Sequence, residues 1–224
     1  EFNNLNLKDI DFRLNDIKFD SNEIKLKKTQ NNFEIEGKLR NDFFELNKNH
    51  IKLMIQPLFP NIKIEKVRLN SKSTFNLNLN KRYKIEKFKI FSDINLDELI
   101  VTNHLEFKRF FPKIKKKISF LKNKISIDYS NENLKINGKG KIFLQNNLDN
   151  INYLIQKENK KYKFKTTLEI QKNPFEIKLL DYEKDNKKKL LLNIEGYIKE
   201  NNKTLFDLIS IEESKNKFEI RKLL

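Results

Sequence analysis

The hydrophobic positions of the chain follow one ten-residue pattern in three places. The three segments are Phe12–Ser21 (FRLNDIKFDS), Ile62–Ser71 (IKIEKVRLNS) and Tyr83–Ser92 (YKIEKFKIFS). Each has apolar residues at its first, third, sixth and eighth positions and serine at its tenth. At about 100° per residue these apolar positions scatter around a helix, so the pattern predicts no amphipathic helix.

A β-strand explains the pattern if the strand contains a β-bulge. In a regular strand the first and third positions share one face, whereas the sixth and eighth positions fall on the other. An extra residue at Asn15-Asp16, Glu65-Lys66 and Glu86-Lys87 returns all four apolar side chains to one face and bends the strand. The alternative is a pair of short strands joined by a kink.

The rest of the chain also alternates between apolar and polar residues. Phe75, Leu77 and Leu79 alternate with asparagine before a turn at Asn80-Lys81-Arg82, which predicts a hairpin. Leu96, Leu99 and Ile100 have helical spacing, and we expect one short helix within residues 96–110. Residues 1–224 are therefore expected to form a single continuous, mainly all-β segment with at most one short helix. Further strands are predicted at 24–26, 33–39, 51–55, 125–129, 134–144, 162–170, 175–180, 190–198, 205–211 and 218–223.

A second motif contains all four glycines. It reads FEIEGKL at residues 33–39, LKINGKG at 134–140 and LNIEGYI at 192–198. Glycine inside a strand marks a bulge, a bend or a close backbone approach, so Gly37, Gly138 and Gly196 are candidate points of curvature. The alternative is that they end strands.

Composition favours strands and explains the charge without a dedicated partner. The chain has 19 Phe and no alanine, the best helix former. Its net charge of +16 comes from lysine, with only six arginines, the residue best suited to bidentate phosphate recognition. Abundant Lys, Asn, Ile and Phe are typical of an AT-rich genome. We therefore expect a solvated lysine surface and no specific nucleic-acid partner.

The sequence offers no catalytic, metal or cofactor site. Cysteine is absent, which excludes disulfides and thiolate ligands, and the two histidines, His50 and His104, have no ligand neighbour at zinc spacing. The NGKGK segment lacks the spacing of a phosphate loop. We expect a protein that is not an enzyme.

The chain begins in mid-pattern at Glu1 and has no apolar run of about 18 residues, so we expect a segment of a longer, repeat-like protein.

The bulged repeat, the glycine motif and the stretch IQPLFPNIKIEKVRLNSKSTFNLNLNKRYKIEKFKIFSDI together resemble the AsmA-like proteins of Gram-negative cell envelopes, the group that includes AsmA, TamB and YhdP. The resemblance extends from about Asp9 to Gly196. It implies part of the β-rich periplasmic body of a protein anchored in the inner membrane through a region not in this chain. The implied fold is a large curved antiparallel sheet whose bulged strands form an open hydrophobic groove.

The function implied by the resemblance is lipid transfer, in which the groove conducts phospholipid acyl chains between the inner and outer membranes. A sheet with one apolar face and few helices must cover that face with a second sheet, by closure or with an apolar ligand. Two alternatives remain, a structural or adhesin-like β-sandwich and a basic nucleic-acid-binding protein. The predicted groove residues, expected on the concave face, are Phe12, Leu14, Ile17, Phe19, Ile62, Ile64, Val67, Leu69, Phe75, Leu77, Leu79, Tyr83, Ile85, Phe88 and Ile90.

Overall fold

Fourteen β-strands make up most of the structure. The computed structural model describes residues 3–14, 17–55, 62–102, 107–131, 133–158, 161–199 and 203–223. Helical segments are short: α1 (Lys48–His50) continues into a π-helical turn at Ile51–Ile55, and 3-10 turns lie at Phe107–Arg109 and Lys178–Leu180. The strands are β1 (Asn4–Leu14), β2 (Ile17–Lys28), β3 (Asn32–Glu45), β4 (Lys63–Asn80), β5 (Ile85–Thr102), β6 (Lys117–Ser130), β7 (Asn133–Phe143), β8 (Asp149–Glu158), β9 (Lys161–Ile170), β10 (Glu176–Ile177), β11 (Tyr182–Glu183), β12 (Leu190–Lys199), β13 (Thr204–Glu213) and β14 (Asn216–Leu223).

Twelve of these strands form one antiparallel sheet. Its order is β1-β2-β3-β4-β5-β6-β7-β8-β9-β12-β13-β14, so strands that are neighbours along the chain are neighbours in the sheet, apart from the inserted hairpin β10-β11. The outermost strands, β1 and β14, are not paired with each other in the part of the chain that the structure describes. The prediction of a large, open, mainly β architecture with at most a short helix is confirmed.

Bulges lie where two of the three repeated segments predict them. Between β4 and β5 the register shifts from Ile64 to Lys66, so Glu65 is the extra residue. The same ladder pairs Leu79 with Ile85 and Asn78 with Lys87, which leaves Glu86 as the extra residue. Each bulge restores the apolar side chains on both sides of it to one face of the sheet.

The first repeated segment forms a hairpin rather than one bulged strand. Leu14 at the end of β1 pairs with Ile17 at the start of β2, and Phe12 pairs with Phe19. The bulge predicted at Asn15-Asp16 falls on residues outside the described part of the chain. The single strand predicted through this segment is nevertheless wrong, because the chain reverses direction there.

The helix predicted within residues 96–110 is wrong. Residues 96–102 belong to β5, residues 103–106 lie outside the described part of the chain, and Phe107–Arg109 is a single 3-10 turn. Leu96 pairs with Leu69 and Leu99 pairs with Val67, with Asp97 as a bulge between them. The three-residue spacing that indicates a helix is therefore produced by a bulge.

Two other predicted strands also differ from the structure. Residues 51–55 are π-helical, and residues 175–180 contain only the two-residue strand β10 followed by a 3-10 turn. Both segments belong to connections that pack against one face of the sheet and add no strand to its twelve-stranded ladder. Ile51 and Phe175 from these segments are buried because they pack against the sheet, whereas Leu53, Leu179 and Leu180 are exposed.

The connections are unequal at the two ends of the sheet. In an antiparallel meander, alternate connections lie at the same end. Every connection of five or more residues falls at one end, here called the capped end, whereas the other end, here called the open end, has only connections of two to four residues. The capped end has the connections 46–62, 103–116, 144–148 and 171–189 together with the two-residue connections 15–16 and 214–215, and the open end has the connections 29–31, 81–84, 131–132, 159–160 and 200–203.

Candidate functional site: the apolar face of the sheet

One face of the twelve-stranded sheet is apolar across its width. Residues paired on neighbouring strands lie on the same face. Phe75 pairs with Ile90, Ile90 with Tyr129, and Tyr129 with Leu134, so one row crosses β4 to β7. We call this the apolar face. Its second row crosses β6 to β9 through Ile127, Ile136, Ile155 and Phe164.

The opposite face carries alternating charges and amides. Lys87 pairs with Asn78, one position away from the apolar pair Phe88 and Leu77. Ion pairs between neighbouring strands include Lys165 Nζ to Glu195 Oε1 at 2.6 Å. Exposed pairs of this kind contribute about 0–1 kcal/mol each. We call this the polar face, and solvent covers it.

Twelve of the fifteen predicted groove residues lie in strands on the apolar face. The register places Phe12, Ile17 and Phe19 opposite apolar partners on β1 and β2. Tyr83 lies in the turn before β5, and its ring stacks on Phe33 with 5.2 Å between centroids. Ile62 lies just before β4, and Leu14 pairs with Ile17 through the backbone. The remaining members pair on this face within the β4 and β5 ladder, namely Ile64, Val67, Leu69, Phe75, Leu77, Leu79, Ile85, Phe88 and Ile90.

The serine at the tenth position of each repeat also lies on this face. Ser92 pairs with Ser73, and their hydroxyl oxygens are 2.7 Å apart. The Ser21 hydroxyl donates to the carbonyl oxygen of Glu23. Because these hydroxyls have partners, a small polar residue is accommodated on the apolar face without an unmet hydrogen bond.

Near β1 to β5, the chain itself covers the capped end of the apolar face. Ile17 and Val67 are 5% and 2% exposed and pack with Leu46 and Ile51 from the connection after β3. Leu46 also donates its backbone N–H to the carbonyl of Val67 at 2.9 Å. These predicted groove residues therefore lie beneath protein rather than at an accessible surface.

A second cover lies over β6 to β13. Phe111, from the connection after β5, and Phe175, from the connection after β9, meet edge to face with 5.3 Å between ring centroids. They pack on the sheet residues Ile170 and Leu190, both fully buried. We call the connections 107–116 and 171–189 the cap. The cap and the sheet beneath it form the larger hydrophobic core of the protein.

Buried amides tie the cap to the sheet. The Gln145 side chain accepts from the Lys113 backbone N–H at 3.0 Å and donates to the Pro174 carbonyl at 2.8 Å, so it joins both cap segments. Asn173 donates to Asp149 Oδ2 at 2.6 Å. Burial raises the pKa of the Asp149 carboxyl, and the hydrogen bond from Asn173 opposes this rise. The cap is thus fixed by specific polar contacts as well as by apolar packing.

At the open end no covering segment lies over the apolar face in the described part of the chain. Phe75, Leu77, Phe88 and Ile90 are only half-buried there. Ile85 is 65% exposed. The candidate site is therefore the open half of the apolar face, from β2 across to β13.

Aromatic rings cover three of the four glycines on this face. Gly138 pairs with Tyr153, and a Cβ at Gly138 would lie 2.0 Å from the Tyr153 ring. Gly37 pairs with Phe75 and Gly196 pairs with Phe164, and a Cβ at either glycine would lie 3.0 Å from the paired ring; at Gly196 it would also lie 2.2 Å from the Leu205 carbonyl oxygen. The ring lies where a side chain would otherwise stand. Burial also raises the pKa of Tyr153 to about 12.

Each glycine in the repeated motif lies inside a strand, so the alternative that glycines end strands is wrong. A register shift at Glu195/Gly196 lies beside one of them. The role of glycine here is to admit a neighbouring ring and a local bulge.

The described residues contain no group of three or more His, Cys, Asp or Glu side chains that could hold a metal ion. His50 is buried within the connection between β3 and β4, next to Ile51, and His104 lies outside the described part of the chain. The Glu65 carboxylate is engaged by Lys117 and Thr102, which lower its pKa.

Sequence reasoning did not identify the cap or the buried amides that hold it. Gln145, Asp149 and Asn173 are polar residues in segments that look like ordinary turns, and each is at most 1% exposed. The only local signal was the Asn173-Pro174 pair, which indicates a turn but not its burial.

Within the described residues, no helix has the length and apolar character needed to cross a membrane. No family model matches the chain, and neither does any curated protein or solved structure.

Proposed function

We propose that the open half of the apolar face binds phospholipid acyl chains, and that the protein is a segment of a bridge-like periplasmic lipid-transfer protein acting between the inner and outer membranes. The observation that carries the proposal is a twelve-stranded sheet with one continuous apolar face, only one end of which is covered by the described chain. The resemblance to AsmA-like proteins supports the same function.

The dimensions of the face suit hydrocarbon chains. Twelve strands about 4.8 Å apart span about 50 Å. A bilayer core of about 30 Å accommodates two opposed acyl chains, so one chain is about 15 Å long. The face is thus long enough for several chains in succession. Each apolar side chain that lipid fully covers contributes about 1.5–3 kcal/mol, which favours an occupied face over a hydrated one.

The cap also favours acyl chains over a second sheet. It lies on the same face as the open half and adds a layer above Ile170 and Leu190. A flat partner sheet could cover only the part of the face that the cap leaves free. Flexible chains adapt to the step between the cap and the open half. This argument distinguishes the lipid proposal from a β-sandwich or adhesin-like module.

The first test measures lipid that remains bound to the purified protein. The 224-residue chain is expressed in bacteria, purified without detergent, extracted with organic solvent and analysed by mass spectrometry. We expect stoichiometric phospholipid. Ile85→Asp and Phe88→Asp should lose most of it while keeping the far-ultraviolet circular dichroism of the parent. A carboxylate on this face has no partner for its desolvated charge when lipid is present. Lys87→Asp, on the polar face, is the matched control.

A lipid-free monomer, or equal lipid loss in Lys87→Asp, contradicts the proposal. A lipid-free dimer by light scattering that dissociates in Phe88→Asp would favour the β-sandwich alternative, since a second copy would then cover the face.

A further inference from the structure

The hairpin that joins β4 and β5 extends beyond β6 at the open end. Pairing of β5 with β6 begins at Lys89 and Ser130, whereas pairing of β5 with β4 continues to Ile85 and Leu79. The turn between these strands therefore lies past the end of β6. We call residues 80–85 the hairpin tip.

Hydrogen bonds hold the hairpin tip in a defined shape. The side-chain oxygen of Asn80 accepts from the backbone N–H of Arg82 at 2.9 Å and from that of Lys84 at 3.1 Å. The Asn80 backbone N–H donates to the Lys84 carbonyl at 3.0 Å. Tyr83 takes a left-handed conformation with φ of 57°, and its ring stacks on Phe33. These hydrogen bonds define the backbone of the turn, and the stacking on Phe33 orients the Tyr83 ring.

The tip combines cations with exposed apolar groups. Lys81, Arg82 and Lys84 lie within four residues, all exposed, and Glu86 is the only carboxylate in residues 78–92. Between the cations, Tyr83 is 70% exposed, and Ile85 beside them is 65% exposed. Basic residues attract anionic lipid surfaces, and tyrosine favours the boundary between headgroups and hydrocarbon.

The position of the tip links this charge to the candidate site. Ile85 is both the last residue of the tip and the first residue of the apolar face on β5, where it pairs with Leu79. An anionic headgroup held at Lys81 to Lys84 would leave its acyl chains beside that face. Charge complementarity and continuity with the apolar face thus point to the same partner.

We propose that the β4–β5 hairpin tip docks on the surface of a bilayer that contains anionic phospholipid. This inference rests on the proposed function, because it identifies where the acyl-chain face meets a membrane. Lys81, Arg82 and Lys84 contact the headgroups, and Tyr83 inserts its ring at the interface.

The absence of tryptophan from the chain provides a direct probe of docking. Tyr83→Trp places a single tryptophan at the tip, and Phe91→Trp places one at an exposed position of the polar face. With vesicles of phosphatidylcholine mixed with phosphatidylglycerol, we expect a blue shift of the Tyr83→Trp emission and no shift for Phe91→Trp. Vesicles of pure phosphatidylcholine should shift neither.

Charge removal tests the role of the three cations. The triple variant K81Q/R82Q/K84Q, carrying Tyr83→Trp, should bind the anionic vesicles about 100-fold more weakly, since each basic residue near such a surface contributes about fivefold. The matched control is K187Q/K188Q/K189Q, which removes the same charge from an exposed turn at the capped end. Its affinity should stay within about twofold of the parent, because these lysines lie away from the proposed contact.

Several results overturn the inference: equal losses in the two triple variants, a blue shift for Phe91→Trp, or displacement of the vesicles by duplex DNA at physiological salt. Retained acyl lipid in the purified protein separates the two proposals. If lipid is retained but the tip does not bind vesicles, docking fails and the proposed function stands. If the tip binds vesicles but the protein retains no lipid, the proposed function fails.

Discussion

Two isoleucines on the same face should differ sharply in their contribution to stability. Ile85 lies at the open end and is 65% exposed, whereas Ile170 lies beneath the cap and is 0% exposed. Replacing a fully buried isoleucine by alanine costs about 2–5 kcal/mol, because the transfer free energy is lost and a cavity remains. Only about a third of Ile85 is removed from solvent. Its burial accordingly contributes about 0.5–1 kcal/mol out of the roughly 1.5–3 kcal/mol of a fully buried side chain.

The difference is measured by urea denaturation of the lipid-free protein, followed by circular dichroism. Ile170→Ala should lower the free energy of unfolding by at least about 2 kcal/mol, and Ile85→Ala by less than about 1 kcal/mol, with similar slopes against urea. Bound lipid should stabilise the parent more than Ile85→Ala, because a ligand stabilises the state that binds it. Equal costs for the two substitutions in the lipid-free protein would refute the division of the face into a capped and an open half.

Three further predictions concern a glycine on the apolar face, a buried carboxyl group and nucleic-acid binding. Gly138→Ala should lower the unfolding free energy by about 1–3 kcal/mol, because its Cβ would overlap the Tyr153 ring. In a double-mutant cycle measured by urea denaturation, Tyr153→Ala should abolish most of that cost. Additive costs for the two substitutions would contradict the overlap. Burial raises the pKa of Asp149 above 3.8, so its stabilising contribution is complete below that value and is lost as pH rises through the folded-state pKa. The unfolding free energy of the parent relative to Asp149→Asn should therefore fall as the pH rises from below 3.8 through the raised folded-state pKa, and a constant difference would argue against a buried carboxylate. Binding to duplex DNA, followed by fluorescence anisotropy, should be weak and should disappear at physiological salt, whereas tight binding to a defined sequence there would support the nucleic-acid alternative.

The sequence predicts the apolar face better than the path of the chain through it. Ile64 and Val67 share a face because Glu65 is bulged. Leu14 and Ile17 pair because the chain turns between them. A bulge and a two-residue hairpin loop both place residues three apart on one face, so the apolar pattern alone does not distinguish them.

The same ambiguity explains why the spacing within residues 96–110 predicts a helix where the structure has a strand. Leu96 and Leu99 are three residues apart, which fits one turn of a helix or one bulge. Their pairing with Leu69 and Val67, 27 and 32 residues earlier, favours the strand over the helix. Such long-range pairing is a tertiary effect that local spacing does not contain.

The cap could not be predicted because its contacts join distant segments. Gln145 is buried only because residues 113 and 174 meet at its two ends. In isolation, a glutamine after a strand predicts a solvated turn. The candidate site depends on this cap, since it decides which half of the apolar face remains accessible.

Photocrosslinking at two adjacent residues tests the central claim most directly. Phe88 pairs with Leu77 on the apolar face, and Lys87 pairs with Asn78 on the polar face. A photoreactive amino acid is placed at each position in turn, the protein is irradiated in cells, and lipid adducts are identified by mass spectrometry. We predict phospholipid adducts at Phe88 and none at Lys87. Adducts that favour Lys87, or a Phe88 that crosslinks only to protein, would contradict an acyl-chain site on the open half of the apolar face.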